Sequence, residues 1–219
     1  MATVSTPRLQ LLKPDPTEFV DVVTHIENNW DKIDTSINAE VCTSSTRPAN
    51  PYVGKTIFET DSNDYLIWNG TSWCIISHTG AWKTYTPVWT SFGATAPAIG
   101  NGTLQGRYIK VGRLVNFQIT IIMGSTTTFG TGTIYQLTTP DAIFFPANGY
   151  EYMHNAVAFD TSAGTRFSGI SFSGDGGDLS AKLNRTVFNS GAGFSPGAPF
   201  TWTAGDVFNC TGFYESSVD

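Results

Sequence analysis

LVNFQITIIM, residues 114–123, is the stretch that decides the fold. Apolar residues occupy every second position from Val115 to Met123, and polar residues fill the positions between them as far as Thr120. Because successive side chains of a β-strand point to opposite faces of a sheet, this period of two predicts a strand with one buried face and one polar face. The predicted buried face holds Val115, Phe117, Ile119, Ile121 and Met123. The predicted polar face holds Asn116, Gln118 and Thr120.

Strand patterns continue on both sides of this stretch. RYIKVGRLVNF, residues 107–117, predicts a hairpin that turns at Val111–Gly112, and no helical periodicity interrupts the chain from Trp82 onward. About eight strands separated by short turn signals predict a carboxy-terminal antiparallel β-sandwich, jelly-roll-like, over residues 80–219. The other candidate strands are residues 85–91, 133–138, 155–160, 166–172, 179–184 and 207–214.

A small β-meander is predicted at residues 54–79. KTIFETD, DYLIWNG and TSWCIIS alternate with a period of two, and they are separated by turns at Ser62–Asn63 and Asn69–Gly70. Asn-Gly favours a tight type I′ turn because both of its positions need positive φ. So small a sheet is marginally stable alone, and its aromatic residues need cover from symmetry-related copies or from the end of the preceding helix. Those residues are Phe58, Tyr65, Trp68 and Trp73.

DPTEFVDVVTHIENNWDKIDTSINAE, residues 15–40, predicts a short helical stem. Its large apolar residues recur at alternating spacings of four and three, which is the seam of a coiled coil. Isoleucine at the d positions favours three chains over two, so the stem predicts a homotrimer. The alternative is an amphipathic helix that packs on a domain of its own chain. The seam residues are Phe19, Val23, Ile26, Trp30, Ile33 and Ile37.

Two further features of the stem are readable from the sequence. Asp15 can cap the helix, Pro16 suits its first position, and Glu18 can reach back to the free amides. The stem also carries a net charge of minus six, because it contains seven acidic residues and a single basic residue, Lys32. Parallel copies would bring acids close together, so we expect downstream modules or a basic partner to strengthen the assembly.

The remaining segments at this end of the chain are predicted to be extended. Residues 1–14 contain two prolines and no helical period, which indicates an anchoring arm or a disordered terminus. Residues 41–53 read as a linker, because Pro48 and Pro51 remove backbone donors and restrict the residues before them.

Composition excludes several functional classes. Charged residues make up only 14% of the chain, and no basic stripe is present, so we expect no nucleic-acid partner. The three cysteines, Cys42, Cys74 and Cys210, are far apart and have neither metal-ligand spacing nor a disulfide pattern. We find no signal peptide and no segment that could insert in a membrane, and we therefore expect synthesis in a cytoplasm.

Motifs for chemistry are weak, and we expect neither a cofactor nor a metal. Gly100, Gly102 and Gly106 lack the spacing of a nucleotide-binding loop and indicate turns instead. Asp175 and Asp178 in SGDGGDLS could bind Ca²⁺, but an acidic turn explains them as well. His25, His78 and His154 lie apart from one another in sequence, and no nucleophile motif surrounds any of them.

Two aromatic segments are candidates for ligand binding, at residues 141–155 and 188–200. Sugar rings stack their C–H faces on exposed aromatic rings, while Asn and Ser can bond the hydroxyl groups. The alternative is that these rings fill a trimer interface or a domain edge. The candidate ligand-binding residues are Asn148, Tyr150, Tyr152, Asn189 and Phe194.

Three stretches resemble proteins of bacteriophage tails. PYVGKTIFETDSNDYLIWNGTSW (51–73) is similar to a module of tail fibres and minor tail proteins, and NNWDKIDTSI (28–37) resembles the end of their amino-terminal stems. The sequence from AWKTYTPVWTS to FGTG (81–132) resembles a carboxy-terminal β domain of actinobacterial phage tail proteins. Head fibres and capsid decorations use the same modules.

The resemblance implies a structural virion protein that is not an enzyme. Residues 1–40 would attach the homotrimer to another virion protein, and the carboxy-terminal β domain would bind the host surface, in particular a glycan. The alternatives are a head fibre or capsid decoration protein without receptor binding, a glycan-degrading spike, and a cellular lectin. A degrading spike would need two carboxylates across a cleft, and the sequence alone does not pair the acids of the β domain.

Overall fold

The computed structural model describes residues 4–6, 10–14, 17, 19–36, 38–93, 95–145, 151–174 and 182–218. Within these residues the fold is mainly β, with one short helical segment and sheets that do not close into barrels. The chain divides into two compact units, Met1–Gly80 and Ala81–Asp219, which we call the N-terminal and C-terminal units.

The N-terminal unit begins with a β-hairpin and a helix. The hairpin consists of β1 (Val4–Ser5) and β2 (Leu12–Lys13), so this part of the predicted arm folds back on itself rather than running extended. The side-chain amide of Asn29 then holds β2 against the helix. Its Oδ1 accepts from the backbone N–H of Leu12 at 2.9 Å, and its Nδ2 donates to the carbonyl of the same residue at 3.0 Å.

The helix is shorter than the predicted stem. A π-helical segment spans Val22–Glu27, and α1 follows at Asn28–Ser36. Asp21 caps the N-terminus by accepting from the N–H of Thr24 at 2.6 Å, whereas Asp15, Pro16 and Glu18 lie outside the described residues. Glu40 belongs to a strand and not to the helix, so the prediction of one α-helix over residues 15–40 was wrong.

A four-stranded sheet completes the N-terminal unit. Its order is β3-β4-β5-β6, in which β3 runs parallel to β4 and the other neighbours are antiparallel. The predicted linker, residues 41–53, therefore starts within a strand. Cys42 of this strand packs with Ile57 and Leu66 in the small core of the sheet. The bounds are β3 (Glu40–Cys42), β4 (Thr56–Glu59), β5 (Asp64–Trp68) and β6 (Trp73–His78).

Polar contacts reinforce this small sheet. The buried carboxylate of Glu59 pairs with Arg47 and accepts from the hydroxyl of Ser62 at 2.9 Å, and Asp64 pairs with His78 at the same end. Asn69 and Gly70 do not form a two-residue turn. They begin a four-residue loop, in which Oδ1 of Asn69 accepts from the N–H groups of the two residues after Gly70 at 2.8 Å each.

The C-terminal unit contains ten strands within the described residues, in two sheets. The seven-stranded sheet has the order β15-β13-β12-β16-β10-β9-β7, and the three-stranded sheet has the order β14-β11-β8. All neighbours in both sheets are antiparallel. The bounds are β7 (Lys83–Tyr85), β8 (Trp89–Ser91), β9 (Thr103–Val111), β10 (Leu114–Ile122), β11 (Tyr135–Thr138), β12 (Tyr152–Asp160), β13 (Thr165–Ser173), β14 (Lys182–Leu183), β15 (Arg185–Phe188) and β16 (Val207–Glu215).

One hydrophobic cluster joins the two sheets. Val115, Phe117, Ile119 and Ile121 of β10 are all completely buried, which confirms the alternation predicted for this strand. Trp89 of β8 and the aromatic and aliphatic residues of β11 belong to the same cluster. Because burial of apolar side chains is the main stabilising contribution to folding, this shared core holds the C-terminal unit together.

Several predicted strands have different bounds in the structure. The predicted strand 85–91 is two strands in different sheets, since Pro87 between them has no N–H for a ladder hydrogen bond. The loop that joins β9 to β10 is Gly112–Arg113, one residue beyond the predicted turn. The first half of the predicted strand 179–184 lies outside the described residues, and the second half contains β14, whereas β15 was not predicted.

Candidate functional site

The outer face of β13 and β15 carries an unusual distribution of side chains. Ser171 and Ser173 of β13 face the core and are completely buried, so Ile170 and Phe172 face outward. The buried hydroxyls have partners. Ser171 lies 2.6 Å from the hydroxyl of Thr186, and Ser173 lies 3.1 Å from Nε2 of His154. Because these bonds satisfy the polar atoms inside, the strand can turn its apolar residues toward solvent.

The two strands together form a groove. Its volume is about 540 Å³, and its described lining residues are Ser168, Gly169, Ile170, Phe172, Arg185, Val187, Phe188 and Asn189. Pairing of β13 with β15 places Ile170 opposite Val187 and Phe172 opposite Arg185. The same register brings Ser168 opposite Asn189, whose backbone N–H donates to the carbonyl of Ser168 at 2.8 Å.

Three cross-strand pairs with different chemistry therefore follow one another along the groove. The pair Ser168 and Asn189 offers hydrogen-bond donors and acceptors at one end. Two aliphatic side chains form the middle pair, and Ile170 is 43% exposed there. At the other end, the guanidinium of Arg185 lies over the ring of Phe172, 5.9 Å from its centroid. An apolar floor with a few polar groups is typical of a ligand-binding site.

The apolar character of the outer face extends beyond the groove. Phe172 pairs with Met153 of β12, which is 67% exposed, and continuation of the β12–β16 register leads to Phe213, which is 64% exposed. In contrast, the outward residues of β10 are mainly polar, as the alternation predicted. An exposed apolar patch of this kind marks a surface that contacts something else.

The structure places the predicted ligand-binding residues in different environments. Asn189 lies in the groove. Phe194 is only 1% exposed and stacks on Phe208 with ring centroids 4.1 Å apart, so its prediction as an exposed sugar-binding ring was wrong. Tyr152 is half-buried, and its hydroxyl donates to the carbonyl of Phe144 at 3.0 Å. Asn148 and Tyr150 lie outside the described residues, as do Asp175 and Asp178.

The sequence did not predict a ligand-binding role for several groove residues, among them Ile170, Phe172, Arg185 and Val187. A period-two pattern is present in RFSGISFS (166–173), but the usual assignment of apolar residues to the core gives the opposite face. The hydroxyl partners of Ser171 and Ser173 come from β15 and β12, and their proximity cannot be read from a single strand. No local signal could therefore have identified the groove.

The predicted oligomerisation residues are mostly exposed in the single chain. Ile33 is half-buried, and Ile37 lies outside the described residues. The exposed fractions of the other four are Phe19 99%, Val23 58%, Ile26 41% and Trp30 65%. The π-helical segment between Val22 and Glu27 also breaks the α-helical register that the seam assumes.

One cluster in the C-terminal unit has residue types that occur in hydrolases. Nζ of Lys110 lies 2.8 Å from Asp141 and 3.3 Å from the hydroxyl of Ser216. Ser216 is completely buried, however, and its hydroxyl donates to Asp141 at 3.0 Å. Burial alone would raise the pKa of Asp141, but the bonds from Lys110 and Ser216 hold it below its usual value. A substrate cannot reach this hydroxyl, so the cluster ties strands together.

Within the described residues, no group of three or more His, Cys, Asp or Glu side chains could hold a metal ion. The helices of the described chain are all too short or too polar to cross a membrane. Comparison of the chain with protein-family models, curated proteins and solved structures found no match in any of the three.

Proposed function

We propose that this chain is a structural bacteriophage virion protein, a tail fibre or minor tail protein, that binds a host-surface glycan in the groove of β13 and β15. The observation that carries the proposal is the orientation of β13, which buries Ser171 and Ser173, exposes Ile170 and leaves Phe172 half-buried on the outer face. An inward-facing serine and an outward-facing phenylalanine cost free energy, and a ligand that covers the ring offsets this cost.

We further propose that the C-terminal unit is a jelly-roll-like β-sandwich and that the protein is a homotrimer. The shared core of the two sheets supports the sandwich. Four exposed apolar residues of the helical region support a contact between copies, since a lone chain would leave them in water. Three linked groove sites would bind a multivalent surface far more tightly than one site.

In this proposal, residues 1–40 attach the protein to another virion protein, and the helix packs as a short coiled coil. The acidic surface of the helix suits a basic socket on that partner. In this proposal the protein acts by binding. Glycan hydrolysis uses a pair of carboxylates, and no acidic residue is among the described residues that line the groove.

Cell binding tests the proposed function. Fluorescently labelled full-length protein should bind at least some strains in a panel of actinobacterial cells, and Phe172→Ala should weaken that binding about tenfold through loss of the stacking ring. Phe213→Ala is the matched control, since it removes an exposed ring from the same sheet face outside the groove. If both variants bind as the wild type does, the groove is not the receptor site.

A second candidate function is that of a head fibre or capsid decoration protein without a receptor. The observation in its favour is the exposed pair Met153 and Phe213, because Met and Phe are typical of protein–protein interfaces. This function predicts no binding to any strain and a loss of incorporation into particles for Phe213→Ala. Wild-type incorporation of that variant would contradict it.

A further inference from the structure

The middle of the groove is selective against an unmodified sugar. Ile170 and Val187 face each other across the strands and present only aliphatic carbon to a ligand. A hydroxyl group buried against them would lose its hydrogen bonds to water and gain none, which costs about 1–3 kcal/mol. The ligand group that lies here must therefore be apolar and small.

The two ends of the groove, in contrast to its middle, can bind polar groups of the ligand. Asn189 and Ser168 can bond an amide or hydroxyl group at one end. At the other end, the ring of Phe172 can accept polarised C–H groups on its face, and the guanidinium of Arg185 has five N–H donors to share among its partners. Adjacent pairs along a strand are about 7 Å apart, so a ligand that contacts all three must have its apolar group between two polar regions.

We propose that the groove binds a glycan built from N-acetylated amino sugars, an inference that rests on the proposed host-binding function. The acetamido methyl is a small apolar group on an otherwise polar sugar, and it fits against Ile170 and Val187. The adjoining amide lies between this methyl and the sugar ring, so Asn189 and Ser168 bond hydroxyl groups of the neighbouring sugar. The pyranose ring stacks on Phe172.

Two oligosaccharides with the same linkage test this assignment. Chitotetraose and cellotetraose are both β-1,4-linked and differ in the acetamido group, which replaces a hydroxyl in each sugar. Titration calorimetry with the full-length protein should show that chitotetraose binds at least about tenfold more tightly, the effect of filling or leaving a small hydrophobic site. Equal affinities, or a preference for cellotetraose, would overturn the inference.

Variants in the groove sharpen the test. Val187→Thr keeps the volume and exchanges a methyl for a hydroxyl, so it should reduce the preference for chitotetraose without abolishing binding. Phe172→Ala should weaken the binding of both sugars about tenfold through loss of the stacking ring, and Phe213→Ala should leave both affinities unchanged. All three side chains are at least partly exposed on the sheet surface, and near-ultraviolet circular dichroism verifies the fold.

The cell-binding experiment separates the two proposals. If the protein binds cells through the groove but neither sugar binds, the N-acetyl assignment fails and the proposed function stands. If chitotetraose binds in the groove but no cells are bound, the assignment of the ligand stands and host attachment fails. Unchanged chitotetraose binding in Phe172→Ala contradicts the groove as the site.

Discussion

His154 is a buried neutral base in the core of the C-terminal unit. Its ring packs edge-on to Phe117 with centroids 5.0 Å apart, Nε2 lies beside the hydroxyl of Ser173, and Nδ1 has no hydrogen-bond partner among the described residues. Gly212 makes room for the ring, since a Cβ there would lie 2.3 Å from Nδ1. Burial lowers the pKa of His154 to about 4. Protonation is therefore unfavourable in the folded chain and easy in the unfolded one.

The sign of the resulting pH dependence follows from this depressed pKa. The stability that depends on neutral His154 is complete above the unfolded pKa of about 6.5 and is lost as the pH falls toward 4. Between pH 7 and pH 4.5, we expect this residue to remove about 2 kcal/mol from the free energy of unfolding. Hydrogen exchange of β12 amides in urea at the two pH values measures the change.

A substitution isolates the histidine from the carboxylates that also titrate in this range. In His154→Gln the difference between the two pH values should shrink by that amount, while His25→Gln, in the other unit, should keep the wild-type difference. An unchanged pH dependence in His154→Gln would mean that the buried ring does not limit acid stability.

Asp206 is another buried polar residue of the C-terminal unit, and the hydrogen-bond partners of its carboxylate lie in loops. Its carboxylate accepts bonds from the backbone N–H and the hydroxyl of both Thr161 and Thr203, at 2.6–3.0 Å. Asp206→Ala leaves these donors without an acceptor, so the free energy of unfolding should fall by about 3 kcal/mol in urea titrations. Asp160→Ala removes a half-buried carboxylate at the end of β12 that accepts two bonds instead of four, so it should cost less. Equal losses in the two variants would contradict this role.

Among the elements, the orientation of β10 could be predicted from the sequence and that of β13 could not. The alternating apolar residues of β10, Val115, Phe117, Ile119 and Ile121, are buried, so a period of two was enough to predict both the strand and its orientation. In β13, Ile170 and Phe172 also alternate with polar residues but face outward, because Ser171 and Ser173 face the core and bond to residues of other strands. The groove depends on that orientation and could not be predicted, apart from Asn189.

The helical region was predicted in outline but not in detail. The apolar spacing correctly indicated a helix around Trp30, yet its start moved from Asp15 to the cap at Asp21, and a π-helical segment replaced the first turns. The hairpin before it was missed, since the bonds that hold it come from a side chain 17 positions later, Asn29 to Leu12.

This hairpin contact leads to a prediction for one element. Asn29→Ala removes both bonds to the backbone of Leu12, so hydrogen exchange of the Leu12 amide should become about tenfold faster. Asn28→Ala changes the neighbouring, exposed asparagine and should leave that exchange rate as in the wild type. Slow exchange in Asn29→Ala would mean that other contacts keep the hairpin on the helix.

At the scale of the whole molecule, the trimer is the main proposal open to measurement. Light scattering after gel filtration at micromolar concentration should give about three times the chain mass of 23.7 kDa. Ile26→Asp puts a charge in the exposed apolar face and should shift the mass toward the monomer, whereas Asn28→Asp adds the same charge beside that face and should not. A wild-type protein that stays monomeric would contradict the trimer.

The position of β16 has a consequence for biosynthesis. This strand follows all the others in the chain, yet it lies in the middle of the seven-stranded sheet, between β10 and β12. Until Val207–Glu215 leaves the ribosome, the strands made earlier form two partial sheets whose inner edges have unpaired amides and carbonyls. The C-terminal unit therefore cannot complete its fold during synthesis of its earlier strands, and nascent chains on neighbouring ribosomes are exposed to pairing with one another until β16 is released.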